Sequence, residues 1–282
     1  MERTRAADVP VRPAATVMLL RDGDGGLEVF MLQRTHSAAF ARSQYVFPGG
    51  RVDDTDHGDD FEPVCDALDD ATASSRLGVD HGGLAWYVAA IRECFEEAGV
   101  LLARPTDADA PVSFDDPGVA ERFNAARHRV HAGEGSLVDL CLVEQLLLLP
   151  ARIQFVAHWL TPVGESRRFD TRFFVAEAPP SQEPLHDDTE TIASIWVRPA
   201  DALARRKAKE LGMFPPTVAS LRMLAEHATV AEAMSAAAAI GVPPRLEPRL
   251  LVTQEGRFGG IRLPGEAGFE EATPPEYVIT TS

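Results

Sequence analysis

The segment Arg92-Glu93-Cys94-Phe95-Glu96-Glu97-Ala98-Gly99-Val100, read with the upstream Phe47-Pro48-Gly49-Gly50, decides the fold of this chain. Residues 88–98 contain neither Pro nor Gly and are rich in Ala, which predicts a helix. Val88, Ile91, Phe95 and Ala98 recur at helical spacing and form one apolar face. Glu93, Glu96 and Glu97 share a different face within one turn, and Gly99 is placed to stop the helix. Three carboxylates on one turn repel each other, and no set of Lys accompanies them. A hard divalent cation with oxygen ligands, Mg²⁺ or Mn²⁺, would relieve that repulsion. A solvated face is the other reading of such a helix taken alone.

The second segment resembles the latter half of the Nudix box, in which Gly, five residues, Glu and seven residues precede Arg-Glu-apolar-x-Glu-Glu-x-Gly-apolar. Arg92, Glu93, Cys94, Glu96, Glu97, Gly99 and Val100 match position by position, and Gly50 stands as the first glycine. There are two departures. Position 56, where the pattern has its first Glu, is Asp56, and about 28 extra residues separate Gly50 from Arg92. The insertion is compatible with the box if residues 50–56 still form its loop and the inserted chain loops outward. Such an insertion, together with Trp159-Leu160-Thr161-Pro162 and Arg168-Phe169-Asp170-Thr171, resembles the coenzyme A diphosphatase branch of the Nudix hydrolases.

The resemblance implies a Nudix α/β/α sandwich: an α/β fold whose mixed sheet lies between helices. The predicted element order fits it. Residues 16–20 and 27–33 read as a hairpin around the turn cluster 21–26. Residues 45–47, 100–103, 153–160, 168–175 and 192–197 read as strands. Residues 53–83 read as a solvated acidic loop with one short helix near 63–74, lacking the residue order of a calcium loop. Residues 119–149 read as a helical hairpin broken at 132–135, with His128 and His131 on a partly exposed face. Further helices are expected over 199–211, 215–226 and 230–240, and a hairpin over 246–263 turning at 255–257. The expected division is a Nudix hydrolase domain over 14–228, with insertions at about 57–84 and 117–150, and a C-terminal helix and hairpin extension over 229–282.

The chain has 282 residues and a net charge of −16, from 43 Asp and Glu against 27 Lys and Arg. That balance argues against non-specific binding to nucleic acid or anionic membranes. Cys65, Cys94 and Cys141 are too few and too odd in number for a disulfide framework, so a reducing cytoplasm is expected. No apolar run approaches transmembrane length. Residues 1–13 lack the apolar core of a signal peptide, and Thr280-Thr281-Ser282 is not a peroxisomal address.

By resemblance, Glu93, Glu96 and Glu97 hold Mg²⁺ or Mn²⁺, Arg92 orients a carboxylate, and one of the glutamates or Glu190 accepts a proton from the attacking water. Gly49 and Gly50 allow close backbone approach to the helix. Arg34, Arg42 and Arg168, with Arg167 and Arg172, are candidate phosphate contacts. The implied partner is a small-molecule nucleotide diphosphate, foremost coenzyme A or an acyl derivative, with room for a homodimer. ADP-ribose, NADH and dinucleoside polyphosphates are alternative substrates, and a non-hydrolytic Nudix-fold binding module or an acidic structural scaffold are alternatives of other classes.

Overall fold

A computed structural model describes residues 4–34, 44–185, 191–253 and 257–279. The chain begins with a long hairpin, β1 (Val11–Gly23) and β2 (Gly26–Arg34), whose last pair is Gly23 with Gly26. Gly26 has φ +106°, a conformation that glycine adopts without strain. Two short strands follow, β3 (Tyr45–Val46) and β4 (Gly49–Arg51). After two 3₁₀ turns, Asp54–His57 and Asp59–Val64, come helices α1 (Asp70–Leu77) and α2 (Leu84–Ala98). β5 (Ala103–Pro105), α3 (Pro117–His131), α4 (Leu137–Glu144) and β6 (Leu146–Leu148) form the next block. The rest is β7 (Gln154–Leu160), β8 (Arg168–Glu177), β9 (Thr191–Val197), α5 (Pro199–Lys207), α6 (Pro215–Leu224), α7 (Val230–Ala238), β10 (Arg245–Leu246), β11 (Arg249–Val252) and β12 (Phe258–Arg262).

Eight of these strands make one mixed sheet, ordered β10-β7-β8-β1-β2-β3, with β4 on the first half of β1 and β9 beside β2. β1 runs parallel to β8 and β10 parallel to β7, while the other pairs are antiparallel. Period-two alternation sends β1 side chains to two separate cores. Ala15, Val17 and Leu19 pack with α1 to α4 on one face, and Met18 and Leu20 with α5 to α7 on the other. The architecture is therefore three layers, with α2 central to one of them. Val88, Ile91, Phe95 and Ala98 are all buried beneath it.

Several elements differ from the sequence reading. The helix expected near 63–74 is a 3₁₀ turn containing Pro63 followed by α1, because the Asp69 side chain accepts from Thr72 N at 2.7 Å and restarts the helix there. Residues 59–83 do not loop outward: Phe61, Val64, Leu68, Ala73 and Leu77 are buried in the α2-side core. Residues 146–148 are a strand rather than helix, since Gln145 at φ +54° ends α4 and β6 pairs with β5. The helix begun at Pro199 ends at Lys207, short of Lys209 at φ +65°. Residues 245–246 join the edge of the main sheet, leaving β11 and β12 as a separate pair. Glu255 and Gly256 of the expected turn lie outside the described residues. Among the described residues no helix is long and apolar enough to cross a membrane.

At the centre of the α2-side core, Phe174 of β8 is fully buried, with its ring 4.9 Å from Tyr87 and 5.7 Å from Phe155. Phe174→Ala is expected to cost about 3–5 kcal/mol of stability, read as a lowered midpoint in urea unfolding.

Candidate active site

The inserted chain finishes the N-terminus of α2. Gly83, at the N-cap position, has no side chain with which to cap, and Asp70 of α1 substitutes for one. Its carboxylate accepts from Gly82 N at 2.8 Å and Leu84 N at 2.9 Å, and Ser74 Oγ accepts from Gly83 N at 2.8 Å. These bonds satisfy amide donors that a helix leaves open, and Asp70 places negative charge at the positive end of the helix dipole. A Cβ on Gly83 would lie 2.4 Å from Ser74 N, so the contact requires glycine.

Arg92 gathers the site. Its side chain is 10 % exposed, and its five N–H groups reach five acceptors. Nε donates to Asp56 Oδ1 at 2.9 Å, and Nη2 to Asp56 Oδ2 and to Arg51 O, both at 2.8 Å. Nη1 donates to Glu93 Oε1 at 2.9 Å and to Glu96 Oε1 at 3.1 Å. Burial works against the Arg92 charge, but Asp56, Glu93 and Glu96 overcome it and raise its pKa above the ordinary arginine value. Asp56 is 2 % exposed and accepts from Asp53 N at 2.8 Å through Oδ2, so the residue that departs from the box pattern makes the bidentate pair itself.

The two glycines sit under the acids. Gly49 N donates to Glu97 Oε2 at 2.9 Å. A Cβ on Gly49 would meet Ala15 O at 2.4 Å, and one on Gly50 would meet Glu93 Oε1 at 2.4 Å. Burial, chiefly, pushes the Glu93 carboxyl up to about 7; Arg92 opposes the shift, and Glu96 and Asp56 add to it. The remaining Glu96 oxygen, Oε2, lies 3.4 Å from His131 Nδ1. A cleft of about 640 Å³ opens here between Asp53, Asp56, Arg92 and Glu96 on one side and His131 and Val138 of the helical hairpin on the other.

The donor chemistry fits a hard divalent cation: three carboxylates on one turn, one of them held above its usual pKa by burial and by its acidic neighbours against the pull of Arg92. Among the described residues, however, no three His, Cys, Asp or Glu side chains already converge on one point. Glu93 and Glu96 lean on Arg92, while Glu97 leans on Gly49.

Other expected residues lie elsewhere. Arg34 is exposed at the end of β2, where its N donates to Gln44 O at 3.0 Å. Arg168 starts β8 away from the acids, donating to Thr161 O at 3.0 Å and to Glu247 Oε1 at 2.8 Å. Arg172 is buried with its guanidinium 4.2 Å from the centre of the Trp86 ring. Arg42 and Glu190 lie outside the described residues. The sequence reading missed Asp70, Arg127 and His131 as supports of the box helix. Asp70 carries the residue type of a cap, but its partners are twelve and fourteen residues away, beyond any local capping pattern.

A family model described as the NUDT19 Nudix domain matches residues 69–224. Acyl-coenzyme A diphosphatase NUDT19 from Gallus gallus is 30% identical over 251 residues, covering 73% of this chain and 65% of that protein. The proteins of the same name from Xenopus laevis and Homo sapiens are each 28% identical, over 73% of this chain and 61% and 63% of their own lengths. This chain thus spans a little under two thirds of these relatives. A crystal structure of a Nudix hydrolase from Alicyclobacillus acidocaldarius superposes with a TM-score of 0.64 at 25% identity, covering 84% of this chain and all of that one.

Asp56→Asn is expected to replace the bidentate carboxylate of Arg92 with a neutral amide while Glu93 and Glu96 still pair with it, and to cost about 1–3 kcal/mol. Chemical unfolding of the variant beside Asp54→Asn, an exposed neighbour, checks this.

Proposed function

This chain belongs to the Nudix family, in its NUDT19 Nudix-domain group, and from that premise we propose that it hydrolyses the diphosphate of coenzyme A or acyl-coenzyme A. The products would be phosphopantetheine, or its acyl form, and adenosine 3',5'-bisphosphate. The observation that carries the reading is the saturated Arg92, which holds Glu93 and Glu96, the latter lining the cleft, while Gly49 holds Glu97. A turn organised this way is more than a solvated helix face, because its carboxylates are oriented in advance by buried partners.

Glu93, Glu96 and Glu97 are the residues that would hold Mg²⁺ or Mn²⁺. When bound, the cation supplies neutralisation of diphosphate charge and activation of water. Arg92 keeps two of the acids oriented through each turnover, since its other donors are fixed on Asp56 and Arg51 O. Glu190 is the proposed acceptor of the water proton, and Arg34 and Arg42 the proposed phosphate contacts. Arg168 is left out of this assignment because it starts β8 with Nε on Thr161 O and Nη2 on Glu247.

The deciding experiment incubates the full chain with coenzyme A, acetyl-coenzyme A, ADP-ribose and NADH, with Mg²⁺ and then Mn²⁺, and identifies the products. Release of phosphopantetheine or its acyl form well ahead of turnover of the other two substrates is expected. Preference for ADP-ribose or NADH would keep a Nudix diphosphatase and discard the coenzyme A assignment. No turnover of any of the four would count against hydrolysis. Glu97→Gln is expected to lower kcat by on the order of 10²-fold or more, with circular dichroism unchanged; wild-type activity in that variant would remove Glu97 from the site.

A further inference from the structure

The last turn of α2 carries Glu96 and Glu97, and its carbonyls have an accountable set of partners. Phe95 O accepts from Gly99 N at 3.0 Å, and Ala98 O accepts from Leu185 N at 3.0 Å. The two carbonyls between them, on the very residues Glu96 and Glu97, accept from one side chain. Arg127 Nε donates to Glu96 O at 2.8 Å, and Arg127 Nη2 to Glu97 O at 2.9 Å. Nη2 also lies 3.2 Å from Leu185 O. Arg127 is 6 % exposed and comes from α3, thirty residues along the chain in the helical hairpin.

Three features make this more than a generic cap. A guanidinium at a helix C-terminus meets the negative end of the dipole, and here it does so within the residues that carry the acidic cluster. The approach depends on Gly99: its φ is +70°, and a Cβ there would stand 3.0 Å from Arg127 Nη1. One turn further along α3, His131 Nδ1 lies 3.4 Å from Glu96 Oε2. Arg127 thus grips the backbone of the turn and His131 faces one of its carboxylates, both from the same helix.

We propose that Arg127 is a positioning residue for the site: it fixes the Glu96–Glu97 turn from behind, so that the two carboxylates are held in the orientation that binds a divalent cation. The proposal rests on the reading of Glu93, Glu96 and Glu97 as the cation-holding set. It gives the helical hairpin a role in the chemistry of a box to which it does not belong in sequence. Arg127 touches no reacting atom; it acts only through the backbone of Glu96 and Glu97.

The test is Mn²⁺ titration by calorimetry of the full chain as wild type, Arg127→Lys and Arg127→Met. Each protein is first compared by circular dichroism and melting, and kcat and KM are measured on whichever diphosphate the wild type hydrolyses. In folded Arg127→Met the Mn²⁺ Kd is expected to rise roughly tenfold or more, with kcat lowered and KM within about twofold, as expected when a catalytic turn loses its orientation rather than its substrate contacts. Arg127→Lys keeps the charge but not the two-pronged grip, and should fall between the two. Wild-type Mn²⁺ affinity and kcat in folded Arg127→Met would overturn the proposal. If that variant does not fold, an unchanged Mn²⁺ Kd in Arg127→Lys would overturn it instead. A wild type that binds Mn²⁺ but hydrolyses nothing would sink the assigned function while the Mn²⁺ comparison still decides on Arg127; a wild type that binds no Mn²⁺ would sink this proposal as well.

Discussion

Leaving the donors of a buried guanidinium unpaired is costly, and at Arg92 that cost organises the centre of this molecule. Arg92 avoids it by drawing together three separate pieces of chain: Asp56 from the loop, the Arg51 carbonyl from the sheet edge, and Glu93 with Glu96 from its own helix. Remove any one and a buried charge or donor is left exposed to a poor solvent. The loop, the strand and the helix are therefore fixed relative to each other by one side chain. The orientation of two of the three glutamates follows from it.

The insertion between loop and helix is a structural member of the box rather than an appendage. A helix that begins at Gly83 has no side chain to satisfy its first amides, and the inserted α1 supplies Asp70 and Ser74 for that purpose. Its apolar residues share the core of α2, so the insertion folds with the helix it interrupts. The C-terminal end of the same helix is finished by Arg127 and the Leu185 amide, again from outside the box. Both ends of α2 are thus closed by residues distant in sequence. The short motif persists in a longer chain because tertiary partners, not local ones, complete its ends.

Much of the architecture was legible from pattern. The apolar spacing of Val88, Ile91, Phe95 and Ala98 located the buried face of α2, and the glycine cluster after Arg21 located the first hairpin. Two of the misread elements share a cause: where a tertiary partner overrides local preference, periodicity alone is blind. Leu146-Leu147-Leu148 continues a helical run by composition, yet β5 lies ready to pair with it. The acidic start of the insertion reads as solvated, yet Asp56 is withdrawn from water by Arg92, which donates to both its oxygens.

The sequence by itself determined the helix, its acidic turn and the glycines against which that turn packs, because all three are written in spacings of a few residues that local geometry converts directly into faces. Only the tertiary structure decided which partner each of those groups has. Asp56 to Arg92, Asp70 to Leu84 and Arg127 to the Glu96 and Glu97 carbonyls are pairings across 14 to 36 residues. Over such separations the loop-closure entropy is nearly the same for many competing partners, so the spacing carries no preference, and the choice is made by which donors and acceptors the packed core leaves without water.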